Sequence, residues 1–191
     1  MRQLLFALAL FPFTLFAQQP APAKGLVKWK TFEEAQAAAK KDGKPLMIDV
    51  YTKWCGPCKM LDAQTFQDPY TAEYINKHFH AVKFDAESQP DVTYNGKVYK
   101  NPSFNPAGGM RNSMHELTGV IAPSNGRIAY PTVVYMDKDG AVLAPVQGFW
   151  NPEQIEPLLG YFATGEYKKG TEFDSYRSGF KSQRPAPAAK P

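Results

Sequence analysis

The chain has 191 residues, 43% hydrophobic and 21% charged, the balance of one soluble globular domain with an appendage. That composition excludes an intrinsically disordered chain, and two cysteines are too few for a disulfide-stapled miniprotein. The formal charge of +4 lies wholly from Lys168 onward, where Lys168, Lys169, Arg177, Lys181, Arg184 and Lys190 outweigh Glu172 and Asp174, so the neutral body argues against nucleic acid as a partner.

In chain order, Met1-Arg2-Gln3 precedes an apolar run from Leu4 to Phe16 that ends at Ala17. One positive charge, a short apolar run and a small closing residue form a secretory signal peptide over residues 1–17. The alternatives are an uncleaved anchor or a buried helix, although a spanning helix needs about 20 apolar residues. Residues 18–24 (QQPAPAK) read as a linker. Leu26 to Trp29 reads as a short strand. Thr31 and Glu34 form a capping box that opens an Ala-rich helix to about Lys41, stopped at Asp42-Gly43. Leu46 to Tyr51 (LMIDVY) has the near-continuous apolar character of a central strand. A helix is expected from Cys55 to Phe66, a second from Pro69 to His78, and a strand from Ala81 to Asp85.

Forty-five residues, Ala86 to Tyr130, then separate two strand signals, and structureless loops of that length are uncommon. Within them Val92 to Tyr99 carries an Asn-Gly hairpin signal, and Ser113 to Val120 suits a short helix. The segment reads as an elaboration that the core does not need, offering Tyr94, Tyr99 and Phe104 as contact aromatics. Pro131 opens a strand through Met136, a turn at 137–140 leads to another at Ala141 to Gln147, and Asn151-Pro152 starts a helix to about Phe162. Residues 25–165 therefore read as one α/β domain with an insertion at 86–130. The C-terminal extension, 166–181, places Phe173, Tyr176 and Phe180 at helical spacing. Its two readings are a short docked helix and a membrane- or partner-binding tail. Residues 182–191 read as a disordered tail. His78 and His80 read as helix-ending residues whose charge suits the dipole.

Both cysteines lie in Trp54-Cys55-Gly56-Pro57-Cys58-Lys59. Two intervening residues in a turn entering a helix let the sulfurs bond reversibly, and the helix N-terminus favours a Cys55 thiolate. Cys55 reads as the exposed nucleophile and Cys58 as the buried resolving thiol. A zinc site would need further ligands, for which only His78, His80 and His115 remain, without a paired spacing. A purely structural bridge closing so short a loop gains little entropy.

With these residues the chain resembles the thioredoxin family over roughly Val27 to Phe162, the 86–130 segment aside. The resemblance implies a three-layer α/β sandwich with a mixed central sheet flanked by helices and an insertion before the cis-proline strand. It implies that Asp49, six residues before Cys55, is a buried carboxyl that exchanges the Cys58 proton, and that Lys83 neighbours it. It further implies that Tyr130-Pro131 is a cis-proline loop beside the disulfide and that Gly148 borders the substrate groove, with Trp54, Gly56 and Pro57 completing the substrate-binding set. Tyr51 stands where the family carries Trp, Ala63 replaces a helix-kinking proline, and Asp62 adds a negative charge.

The function so implied is thiol–disulfide exchange with protein disulfides, in the reducing direction, by a periplasmic or secreted monomer. It would need no metal or organic cofactor and would draw electrons from a membrane donor. The rival readings are a disulfide oxidase or isomerase, and a binding or chaperone module with idle cysteines.

Overall fold

The computed structural model describes residues 26–109 and 111–185; the signal peptide expected at 1–17, the linker and residues 186–191 lie outside them. Helix α1, Phe32–Asp42, begins at the Thr31–Glu34 capping box, which satisfies two otherwise orphaned N–H groups. Strand β1, Leu46–Tyr51, follows, then helix α2, Gly56–Met60, a π-helical turn at Leu61–Thr65, helix α3, Pro69–His78, and strand β2, His80–Asp85. The 86–130 segment contributes strands β3, Val92–Tyr94, and β4, Lys97–Tyr99, and helix α4, Glu116–Ile121. Strands β5, Thr132–Met136, and β6, Val142–Gln147, lead to helix α5, Pro152–Thr164. Helix α6, Phe173–Gly179, comes last.

The central sheet has the order β2-β1-β5-β6, with β1 parallel to β2 and antiparallel to β5, and β6 antiparallel to β5. The period-two alternation of β1 divides its side chains between two cores. Leu46, Ile48 and Val50 pack with α1, α4 and the β3–β4 hairpin, whereas Met47 packs with Leu61, Phe66, Ile75 and α5. Asp49 shares the face of Met47. It therefore lies on the side covered by the chain segment that follows Cys58.

Four expectations need correction. Leu26 to Trp29 is not a strand: Asn76 accepts from the Lys28 N–H and donates to the Leu26 carbonyl, and only Lys30 bridges to β2. The active-site helix is not uniformly α-helical, because it widens into the π turn that contains Ala63. His80 opens β2 and pairs with Asp42 at 2.9 Å instead of ending α3. Helix α4 starts later than Ser113, at the His115 cap, whose Nδ1 accepts from the Leu117 N–H.

The larger correction concerns 86–130, which belongs to the core. Val92, Leu117, Ile121 and Ala122 are buried in the α1-side cluster. Tyr94, expected as a contact aromatic, is buried edge-on to Phe32 and donates to the Gly140 carbonyl at 2.6 Å. Glu33 and Gln36 of α1 bond the hairpin backbone at Thr93 and Asn95. Polar composition misled because this hairpin is satisfied by side chains of α1 and buries alternate residues beneath itself.

The C-terminal extension docks on α5. Tyr161, Phe173 and Tyr176 form an aromatic cluster, and a side chain at Gly160 would collide with the Tyr176 hydroxyl at 2.7 Å. The tail is not disordered from Ser182. Ser182 Oγ and the Gln183 N–H donate to buried Glu156, and Arg184 pairs with Asp68, the N-cap of α3. No helix among the described residues is long and apolar enough to cross a membrane.

Candidate functional site

The turn between β1 and α2 carries the chemistry. Cys55 is the N-cap of α2, its Sγ accepts from the Cys58 N–H at 3.1 Å, and Pro57 occupies the first turn, where no donor is lost. Cys55 and Cys58 are joined in a disulfide with Cα atoms 5.3 Å apart. The expected difference in exposure is absent in this oxidised form, since Cys55 is 3% and Cys58 4% exposed. Position separates them instead. The sulfur of Cys55 faces the free N–H groups at the helix start, where negative charge is stabilised.

Asp49 is 1% exposed and its Oδ1 has no hydrogen-bond partner. Burial pushes its carboxyl up to about 7, against the opposing pull of the Lys83 ammonium, and the negative charge of Asp62 adds to the rise. Lys83 lies opposite Asp49 in the β1–β2 register, but its ammonium is committed elsewhere. It forms an ion pair with Asp62 of the π turn and sits over the rings of Trp29 and Tyr51 at 5.5 and 5.4 Å. The side chain at position 62, noted in the sequence only as an added charge, thus competes with Asp49 for the half-buried Lys83 ammonium.

Tyr130-Pro131 is cis. The Pro131 carbonyl accepts from the Gly148 N–H at 2.9 Å, which ties the loop before β5 to the end of β6. Tyr130 stands edge-on to Trp54, ring centroids 5.9 Å apart, and its hydroxyl is pushed up to about 12 by burial and then by Glu87 and Asp85. Gly56 and Pro57 are exposed at the turn. The structure therefore brings Trp54 and Tyr130 into contact and joins Pro131 to Gly148.

Sequence reasoning missed Glu87. One of its carboxylate oxygens accepts from Trp54 Nε1 and the other from the Asn112 N–H, both at 3.0 Å. It also missed Arg111, whose guanidinium lies 4.6 Å from the Trp54 ring centre. Neither has a local signal, because their partners are supplied across the fold. Among the described residues, no group of three or more His, Cys, Asp or Glu is placed to hold a metal ion.

A mixed sheet with helices on both faces, a Cys-x-x-Cys disulfide at a helix start and a cis-proline loop beside its tryptophan define a thioredoxin-fold redox module. A family described as a thioredoxin-like domain matches residues 32–163. The chain belongs to the thioredoxin-like family. It is 26% identical over 155 residues to the thiol:disulfide interchange protein DsbD of Pectobacterium atrosepticum, covering 80% of this chain and 22% of that one. It therefore spans less than a quarter of that relative's length. Among solved structures, a thioredoxin-fold protein from Helicobacter pylori superposes with a TM-score of 0.53 at 16% identity, over 72% of this chain and 80% of that one. A thioredoxin from Thermus thermophilus gives 0.52 at 17% identity, over 76% and 93%. These two likenesses show the fold.

Proposed function

We propose that the protein is a thiol–disulfide oxidoreductase that reduces protein disulfides in an exported compartment. The Cys55 thiolate attacks a substrate disulfide, forming a mixed disulfide and releasing one substrate thiolate. Cys58 passes its proton to Asp49, and its thiolate then attacks Cys55 Sγ, which releases the second substrate thiolate and leaves the Cys55–Cys58 disulfide. Two electrons pass from the dithiol to the substrate, and the two substrate thiolates take up the protons given up by the cysteines. Tyr130, Pro131, Gly148 and Trp54 border the place where an extended substrate segment would lie, and Lys83 and Asp62 set the charge around Asp49. A membrane electron carrier re-reduces the protein.

The observation that carries this reading is the disulfide at the start of α2 on the sheet face that holds an unpartnered buried carboxyl. Similarity to a thiol:disulfide interchange protein supports it, and the N-terminal apolar run supports export. In the test, a Cys58→Ala variant is incubated with oxidised protein substrates under non-reducing conditions. Mixed disulfides through Cys55 are the expected result, with none in a Cys55→Ser, Cys58→Ala variant. Full biological activity in a variant lacking both cysteines would make the protein a binding module instead. A reduction potential in the range of strong oxidants would reverse the direction of flow.

A further inference from the structure

The 86–130 segment places a guanidinium on the rim of the disulfide site, and its construction is specific. Buried Asn101 donates to the Ser88 and Ser113 carbonyls and accepts from Ser113 Oγ. Asn112 accepts from the Asn105 and Ser113 N–H groups and donates to the Asn105 carbonyl. Between them Gly108 lies so close to the Asn105 and Arg111 carbonyls that a side chain there would stand 3.0 Å from both. The loop ends in the Asn112 N–H bond to Glu87, which also holds the Trp54 indole. These contacts leave Arg111 exposed and stacked on Trp54, the residue before Cys55.

Glu87, the carboxylate next to Trp54, is bonded to the Trp54 indole and the Asn112 N–H and not to Arg111. Asp85 is paired with Lys53 at 3.5 Å, and Arg111 forms no ion pair among the described residues. A guanidinium that lies over the indole and has no ion-pair partner among the described residues can take a carboxylate with two parallel bonds. The exposed side chains of Lys53 and Lys59 flank the same turn in sequence.

We infer that Arg111 is a specificity-determining residue that selects protein disulfides with an acidic side chain next to the reacting cysteine. This rests on the exchange reaction proposed above. Arg111 acts before the sulfur chemistry by favouring the encounter and its register.

The test uses the reduced full-length chain and disulfide-linked peptide dimers that carry Glu, Gln or Lys beside the cysteine. Second-order reduction rates are divided by those of dithiothreitol on the same peptides, which removes the effect of the neighbour on sulfur reactivity. An exposed pair of this kind supports a Glu-over-Gln preference of about twofold to fivefold and a larger Glu-over-Lys ratio. The ratio should collapse at about 1 M salt, where the screening length is about 3 Å. Arg111→Glu should invert it and Arg111→Lys should retain part of it. A normalised ratio near one in the unmodified chain, or a ratio that survives in Arg111→Glu, overturns the inference alone. If the unmodified chain fails to reduce even uncharged hydroxyethyl disulfide, the proposed exchange reaction falls and this inference with it.

Discussion

Asp49 in β1 and Glu156 in α5 are almost equally hidden, 1% and 5% exposed, yet their surroundings are opposite. Glu156 accepts from Ser182 Oγ, the Gln183 N–H and the Tyr70 hydroxyl, with Arg184 Nε 3.6 Å away. Asp49 has an oxygen with no partner, and the cation opposite it is held by Asp62. Burying a carboxylate is costly unless it is paired and hydrogen-bonded. The satisfied carboxyl acts as a latch that fastens the C-terminal segment to α3 and α5. The unsatisfied one is held near its titration point, which is what proton transfer near neutral pH requires.

Substitutions at the two sites should separate these roles. The largest effect is expected from Asp49→Asn in the oxidised protein. A folded-state value of about 7 against an unfolded 3.8 means that the native state binds the extra proton between those pH values. Wild-type stability should therefore fall, relative to Asp49→Asn, by about 4 kcal/mol as the pH rises from 4 to 8 and stay level above. Denaturant melts across that range measure it; parallel curves would mean that Asp49 is ionised in the folded protein throughout.

Glu156→Gln should lower stability by about 3 kcal/mol, because it removes one partner of a buried ion pair and weakens three hydrogen bonds. Amide exchange in residues 173–184 should speed up first, and unchanged protection there would deny the latch. Tyr94→Phe should cost about 1 kcal/mol, the value of the bond to the Gly140 carbonyl. That loss would show that the hairpin braces the core, whereas no loss would return it to the status of a surface elaboration. The smallest effect is expected from Asp62→Asn. It removes a negative charge and frees Lys83, both of which favour ionised Asp49, so the carboxyl should titrate at lower pH. A rise instead would contradict the competition for Lys83.

These two sites also show how much the sequence revealed. Asp49 was legible through the family resemblance, which rests on its local spacing from Cys55 in an apolar strand, and the capping box at Thr31 and the turn at Asn95-Gly96 were legible from local residues alone. The latch was not legible. Ser182 to Arg184 looks like linker by composition, and its partners Glu156 and Asp68 lie 26 and 116 residues away. The hairpin was recognised as a hairpin, but three-residue strands do not reveal which face they bury, so Tyr94 was misplaced at the surface. Glu87 and Arg111 escaped for the same reason, since both meet Trp54 only through the fold.

The central claim is that Asp49 carries the proton of the resolving cysteine. The direct measurement is the rate at which a preformed mixed disulfide between Cys55 and a small thiol is released by Cys58, followed from pH 5 to 9 in the wild-type chain and in Asp49→Asn. The wild-type profile should bend near pH 7, and the variant should be slower near neutrality and lack that bend. Superimposable profiles would show that Asp49 takes no part in the exchange.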